Sequence, residues 1–273
     1  MSDTLFQPWL DRWGLSPDGE AFSTPYTRSW LMPVRRGREP AMLKLAYEVE
    51  EQRGGGLMAW WAGEGAARVL AHHGEALLLE RAMGRGDLVE MAGTDDDGAT
   101  AILCRAAMAL HAPRATVPPA TLVPLATWFA ALGPGAARHG GVLAKAHATS
   151  ELLLADPREV SVLHGDLHHE NVLDFGPRGW LAIDPKGLVG ERGFDYANIF
   201  CNPDPLVAAP PERMRRQVEV VAESAGLERR RLLQWILAYA GLSASWTLED
   251  ANDRDEMVAA LTTAEIAAAE LGF

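Results

Sequence analysis

The stretch His164-Gly165-Asp166-Leu167-His168-His169-Glu170-Asn171, followed by Ile183-Asp184-Pro185-Lys186-Gly187, constrains this chain more than any other feature. An Asp is followed five residues later by an Asn, and thirteen residues after that by a second Asp. Each lies beside an apolar, strand-like run. Phosphoryl transfer from ATP needs such a set. One carboxylate orients the attacking hydroxyl, while an amide and a second carboxylate hold Mg²⁺ against the phosphates. Asp166 is therefore the candidate catalytic base. Asn171 and Asp184 are the candidate Mg²⁺ ligands, since hard oxygen donors suit that ion.

The histidines of the same run offer a different chemistry. His164, Asp166, His168 and His169 read HxDxHH, which could be a transition-metal site of a hydrolase. The order differs from the metallo-hydrolase pattern HxHxDH, and no histidine follows His169. The phosphoryl-transfer set is the better-supported of the two.

The HGDLxxxN run and the IDPKG run resemble the catalytic and metal loops of the aminoglycoside phosphotransferases. Those enzymes are relatives of the protein kinases, whose loops read HRDxxxxN and DFG. HGDLHHENVL, AIDPKGLVGERGFDYANIF and LSASWTLED are most similar to the streptomycin-kinase and hydroxyurea-phosphotransferase branch. The resemblance runs from about Gly19 to Asp253. It implies an α+β, two-lobed protein-kinase-like fold. A small β-rich nucleotide-binding lobe would span residues 1–83, and a larger helical catalytic and substrate lobe residues 84–273.

The resemblance also assigns roles. Lys44, in Ala41-Met42-Leu43-Lys44-Leu45-Ala46, would hold the α and β phosphates of ATP, fixed by a Glu from the next helix. A Lys inside an apolar strand is costly to bury unpaired, so a partner is expected. Glu48, Glu50 and Glu51 are available, and Glu51 is the choice. Leu77 to Gly84 resembles the hinge, where the Glu80 carbonyl and the Ala82 amide would meet the adenine edge. His164 would pack and hydrogen-bond behind the metal loop. Asp195 would accept hydrogen bonds from the catalytic-loop backbone. His168 stands where protein kinases carry a Lys and could touch the transferred phosphate. One departure is plain: Gly19 to Trp30, GEAFSTPYTRSW, has a single Gly where kinases place GxGxxG. Ser23, Thr24 and Thr27 are then the possible hydroxyl contributors to the phosphate cover.

The pattern along the chain agrees with two parts. Arg28 to Val34 and Ala41 to Ala46 read as a hairpin across a polar turn. Glu48 to Trp61 reads as a helix, weakened by Gly54-Gly55-Gly56. Arg68 to Ala71 and Ala76 to Glu80 read as a second strand pair. Beyond Gly84-Arg85-Gly86-Asp87, six segments read as amphipathic helices: Thr100 to His111, Leu122 to Leu132, Val142 to Ala155, Glu212 to Ala225, Glu228 to Leu248 and Asp253 to Leu271. Only the 160–184 region is strand-like there, and Ala112 to Pro124 reads as a Pro-rich surface connection.

The formal net charge of −12 argues against nucleic acid as the main partner. It suits a small cationic substrate, or solubility alone. Trp246, Glu249 and Asp250, with Asp253, Asp255 and Glu256, form an acidic cluster around one aromatic ring. A guanidinium or ammonium group would be drawn to it by charge and cation–π contact. A solvated helix face with acids at its start would look the same. No apolar run reaches the length of a membrane span, and MSDTLFQPWLDRWG lacks a signal-peptide core. Cys104 and Cys201 cannot make a disulfide framework, which points to the cytoplasm. The expected activity is ATP- and Mg²⁺-dependent phosphorylation of a hydroxyl on a streptomycin-like aminoglycoside. The alternatives are a kinase of another small hydroxylated metabolite, or a kinase-like binding protein without catalysis.

Overall fold

One strand pair serves two neighbours in the N-terminal part. The computed structural model describes residues 3–23, 29–208, 210–248 and 254–273. It opens with helix α1 (Asp3–Trp13) and strands β1 (Leu15–Pro17), β2 (Phe22–Ser23), β3 (Trp30–Arg36) and β4 (Glu39–Leu45). Helix α2 (Val49–Trp61) and strands β5 (Val69–His73) and β6 (Ala76–Glu80) follow. The antiparallel sheet runs β1-β3-β4-β6-β5, with β2 also on β3. Successive side chains of a strand point to opposite faces. Ala41, Leu43 and Leu45 of β4, with Ala76 and Leu78 of β6, therefore pack against Phe6 and Leu10 of α1. Lys44 and its register partner Leu77 take the other face, where Leu57 and Met58 of α2 join the main core. Both expected strand pairs are present. Helix α1 has no counterpart in the sequence reading, and it covers a sheet face that would otherwise be bare.

Helix α2 forms despite its glycines. Each Gly costs about 1 kcal/mol relative to Ala in a helix interior. Packing decides the outcome here. A Cβ on Gly54 would stand 2.1 Å from the Pro185 carbonyl oxygen, so only Gly lets the helix lie this close to the loop carrying Asp184.

The chain then turns helical. It forms α3 (Leu88–Ala92), α4 (Asp96–His111), strand β7 (Val123–Pro124), α5 (Leu125–Trp128), α6 (Leu132–His139) and α7 (Gly141–Ala155). Short strands β8 (Val160–Leu163), β9 (Val172–Asp174), β10 (Trp180–Ala182) and β11 (Leu188–Glu191) come next. Helices α8 (Gly193–Ala197), α9 (Pro205–Ala208), α10 (Pro211–Ala225), α11 (Arg229–Thr247) and α12 (Arg254–Leu271) complete the described chain. Helix α11 is buried along most of its length and packs against α7, α8, α10 and α12. Among the described residues, no helix is long and apolar enough to cross a membrane.

The expectation of one helix over Leu122 to Leu132 is corrected. Val123 pairs in parallel with Leu188 of β11, which draws the first residues into a strand. A short helix, a 3-10 turn (Phe129–Ala131) and α6 follow. Pro134 is tolerated because it falls in the first turn of α6, where a missing N–H breaks no helical bond.

Candidate active site

Strand pairing delivers two loops to one place. β8 pairs antiparallel with β11, and β9 with β10. The 164–171 loop leaves β8 and the 183–187 loop leaves β10, so they emerge side by side. The Ile183 N–H donates to the Asn171 carbonyl at 2.9 Å, and the Lys186 N–H to the His164 carbonyl at 2.7 Å. The buried His164 ring bonds the Ile183 carbonyl at 2.8 Å and lies nearly parallel to Trp61. Burial lowers its pKa, so the ring is a neutral link behind the second loop. That is where the sequence placed it.

Asp195, on α8, is the buried anchor of the first loop. Its carboxylate accepts the His164 and Gly165 N–H groups, both at 2.8 Å, and bonds His111 at 2.8 Å. Burial alone would raise its pKa. The His111 contact and the Gly165 N–H outweigh that and hold it below the ordinary carboxylate value. Gly165 turns the chain at φ +87°, and a Cβ there would meet Leu188 at 2.8 Å.

Asp166 follows with its side chain 29% exposed, accessible from the cleft. Its Oδ1 accepts the Asn198 amide at 3.0 Å, and Asn198 is itself gripped by the Asn202 amide at 2.9 Å. The Asn171 amide donates to the Asp166 carbonyl and contacts the His168 ring, both at 2.9 Å. Its nitrogen is thereby committed, and its oxygen remains to accept. His169 faces inward, and its ring nitrogens have no hydrogen-bond partner among the described residues. Burial drives its pKa down to about 3. With His164 turned to a carbonyl and His169 buried, the HxDxHH histidines do not converge. Among the described residues, no three His, Cys, Asp or Glu side chains are grouped to hold a metal ion.

The buried Lys44 finds the partner its strand demands. Its ammonium bonds both Glu51, in the first turn of α2, and Asp184. Ser29 supports Glu51 with a 3.4 Å hydroxyl contact. Asp184 has φ 62°, a left-handed conformation that costs a non-glycine residue about 1–2 kcal/mol. The Lys44 pair and the close passage of α2 hold it there. Asp184 and Asn171 carry hard oxygen donors, a type that suits magnesium, manganese or calcium.

Glu80 ends β6. Its carboxylate accepts the Arg68 N–H at 2.6 Å and pairs with Arg178, so its side chain ties the sheet to the C-terminal part. Ala82 lies partly buried against the main core. The Gly84 N–H donates to the Asp174 carbonyl at 2.9 Å, and a Cβ there would stand 1.9 Å from the Asp174 carboxyl carbon. Ser23 sits exposed on β2, whereas Thr24 and Thr27 lie outside the described residues.

A cavity of about 210 Å³ borders Asp166. Asn198, Asn202, Tyr239, Ser243 and Glu256 line it with His168. Burial raises the Tyr239 phenol well above its ordinary pKa, which keeps it a hydroxyl donor. Of the expected acidic cluster, Glu256 reaches this cavity. Trp246 instead packs edge-on against Trp128 with centroids 5.6 Å apart, and Glu249 and Asp250 lie outside the described residues. The sequence reading missed Asn198, Asn202, Tyr239 and Ser243. Tyr239 and Ser243, four apart on a mostly apolar helix, were the available signal for that face.

A family model for aminoglycoside/hydroxyurea antibiotic resistance kinases matches residues 12–251. Streptomycin 3''-kinase of Klebsiella pneumoniae is 53% identical over 248 residues, spanning 88% of this chain and 91% of that relative. Streptomycin 6-kinase of Streptomyces griseus is 32% identical, spanning 96% of this chain and 86% of that relative. The fold matches that of aminoglycoside phosphotransferase APH(4)-Ia in a ternary complex with AMP-PNP and hygromycin B, with TM-score 0.70 over 99% of each chain at 17% identity. With the paired loops and the strand lysine in place and the family match covering most of its length, the chain belongs to the aminoglycoside/hydroxyurea antibiotic resistance kinases.

Proposed function

We propose that this protein is an ATP- and Mg²⁺-dependent streptomycin kinase that phosphorylates the 3''-hydroxyl of the antibiotic and so confers resistance. One observation carries the reading. The Asp166 carboxylate lines a polar cavity and is joined through Lys186 to Glu51, which with Asp184 holds Lys44. The higher identity to the 3''-kinase than to the 6-kinase supports the choice of hydroxyl.

In this reading residues 1–83 form the nucleotide lobe and residues 84–273 the catalytic and acceptor lobe. The Glu80 carbonyl and the Ala82 amide meet the adenine edge. Lys44, set by Glu51, draws the α and β phosphates. Asp184 and Asn171 hold Mg²⁺, which when bound neutralises charge on the phosphate oxygens. Asp166 orients the acceptor hydroxyl and takes its proton. The Asn198 amide engages Oδ1, and Oδ2, which faces the Lys186 ammonium at 3.6 Å, is the oxygen that takes the proton. A cationic acceptor lies in the cavity, drawn by the Glu256 carboxylate. The cytoplasm supplies the ATP and Mg²⁺ it needs.

A coupled ADP-release assay on a panel of aminoglycosides and small metabolites tests the reading, with NMR of the product to locate the phosphate. Streptomycin 3''-phosphate, formed only with Mg²⁺ present, is the expected product. Phosphate on the 6-hydroxyl would overturn the choice of hydroxyl. Preference for a neutral metabolite would overturn the choice of substrate.

A further inference from the structure

Lys186 lies two positions beyond Asp184, and the kinase reading, on which this inference rests, leaves it without a role. Its backbone is tied on both sides. Its N–H donates to the His164 carbonyl, and its carbonyl accepts the Arg53 guanidinium at 3.1 Å. Its side chain is 20% exposed and turns inward. The ammonium lies 3.1 Å from Glu50, 3.8 Å from Glu51 and 3.6 Å from Oδ2 of Asp166. Burial works against a charge at this position, and the three carboxylates around the ammonium offset it.

Two shared contacts give this arrangement its meaning. Glu51 stands between two lysines: Oε2 holds Lys44, and Oε1 faces Lys186. Asp166 is approached at both oxygens: Asn198 bonds Oδ1, and Lys186 faces Oδ2. Two ammonium groups thus serve four carboxylates: Glu50, Glu51, Asp166 and Asp184. Without Lys186, three of the four would lose a cation they share.

We propose that Lys186 is a positioning residue for phosphoryl transfer, holding the Asp166 carboxylate in line and linking its setting to α2, the helix that also sets Lys44. In the transfer, the acceptor oxygen bonds to the γ-phosphorus as the bond to the β–γ bridging oxygen breaks. ADP leaves with that electron pair, and the hydroxyl proton passes to Asp166. Lys186 touches neither the acceptor oxygen nor the phosphoryl group; its contact is with Asp166. It fixes the direction from which Oδ2 approaches the hydroxyl. A misplacement of about 1 Å at such a group can slow a reaction by about 100-fold.

Lys186→Met, Lys186→Arg, Glu50→Gln and the Lys186→Met/Glu50→Gln double variant test this, with kcat, ATP KM and Tm read for each. Rates are taken with the best acceptor of the panel and as ATP hydrolysis by water. The comparison between variants therefore stands whichever acceptor the intact protein prefers. The expected result for Lys186→Met is a kcat lower by about 10- to 100-fold with ATP KM within about threefold. Lys186→Arg should recover most of the loss. Glu50→Gln should lose about 3- to 10-fold alone and nothing further in the double variant, because it acts through Lys186. A folded Lys186→Met with unchanged kcat would overturn the proposal, as would a loss confined to ATP KM, which would make Lys186 a phosphate ligand. If Lys186→Met does not fold, full kcat in Glu50→Gln overturns it equally.

Discussion

The two loops that carry Asp166 and Asp184 and the helical wall of the neighbouring cavity are built on opposite plans. The loop side is local in sequence. Residues 164–171 and 183–187 bond one another directly, and Asp195, a short distance along the chain, closes the set from behind. The wall is assembled from three distant stretches: Asn198 to Pro203, Tyr239 and Ser243 on α11, and Glu256 to Ala260 on α12. In the proposed reading, the chemistry common to every acceptor falls to the loops that strand pairing sets, and recognition of one acceptor falls to the wall that helix packing assembles. The two assignments can be tested apart.

The largest effect should come from the loop side. Asp166→Asn should keep nucleotide binding, followed by ATP titration, and lower turnover by about two to four orders of magnitude. Near-normal turnover would remove Asp166 from the chemistry and erase the contrast.

The wall should be broken next by its scaffold. The Glu191 carboxylate bonds Arg231 at 2.6 and 2.9 Å and Trp235 at 2.7 Å, fastening α11 to β11. Glu191→Ala strands a buried guanidinium and should cost about 3–5 kcal/mol in chemical denaturation. Burial pushes the Glu191 pKa up, but the Arg231 and Arg158 contacts outweigh it, so the folded pKa lies below the ordinary 4.5. The carboxylate therefore contributes its stabilisation above about pH 4.5 and loses it as the pH falls through the folded value. Melting curves of the parent protein should show that acid loss, and the variant should show less of it.

A paired substitution in α2 sharpens the loop side. Gly54→Ala must displace the helix from Pro185 and should destabilise by about 1–3 kcal/mol while raising ATP KM. Gly56 has open space around its Cβ position, so Gly56→Ala should stabilise by about 0.5–1 kcal/mol. Equal effects at the two sites would mean that the glycines are not there for the close approach.

The smallest effect belongs to the pocket. Glu256→Gln should raise acceptor KM by about 3- to 10-fold without moving ATP KM. It should also flatten the rise of acceptor KM with salt, since screening shortens the reach of an exposed charge. An acceptor KM indifferent to both salt and Glu256 would mean that charge does not select the substrate.

What was legible in the sequence follows the same division. Asp166, Asn171 and Asp184 could be singled out because short strands and tight loops tie chain spacing to spatial position, whereas the places of His164 and Asp195 came from the family resemblance. Lys44 could be read because a lone ammonium in an apolar strand demands an anion, and Glu51 was reachable one helical turn into α2. Helix α1 was missed although its residues cover the sheet. The Gly54-Gly55-Gly56 run weakens a helix in the sequence, and the Pro185 carbonyl against Gly54 is a tertiary contact that spacing along the chain does not reveal.

The sequence by itself determined that a strand-rich part precedes a helical one, the order of most elements and which groups are candidates for the chemistry, because these depend on residue type, periodicity and short-range spacing. The tertiary structure alone decided that Glu51 stands between two lysines, that Leu122 to Leu132 splits around a parallel strand pair, and that Tyr239, Ser243 and Glu256 share a cavity with Asp166. Those outcomes depend on which distant surfaces exclude water together and on how closely backbones approach. Neither is encoded in the spacing of residues along a chain.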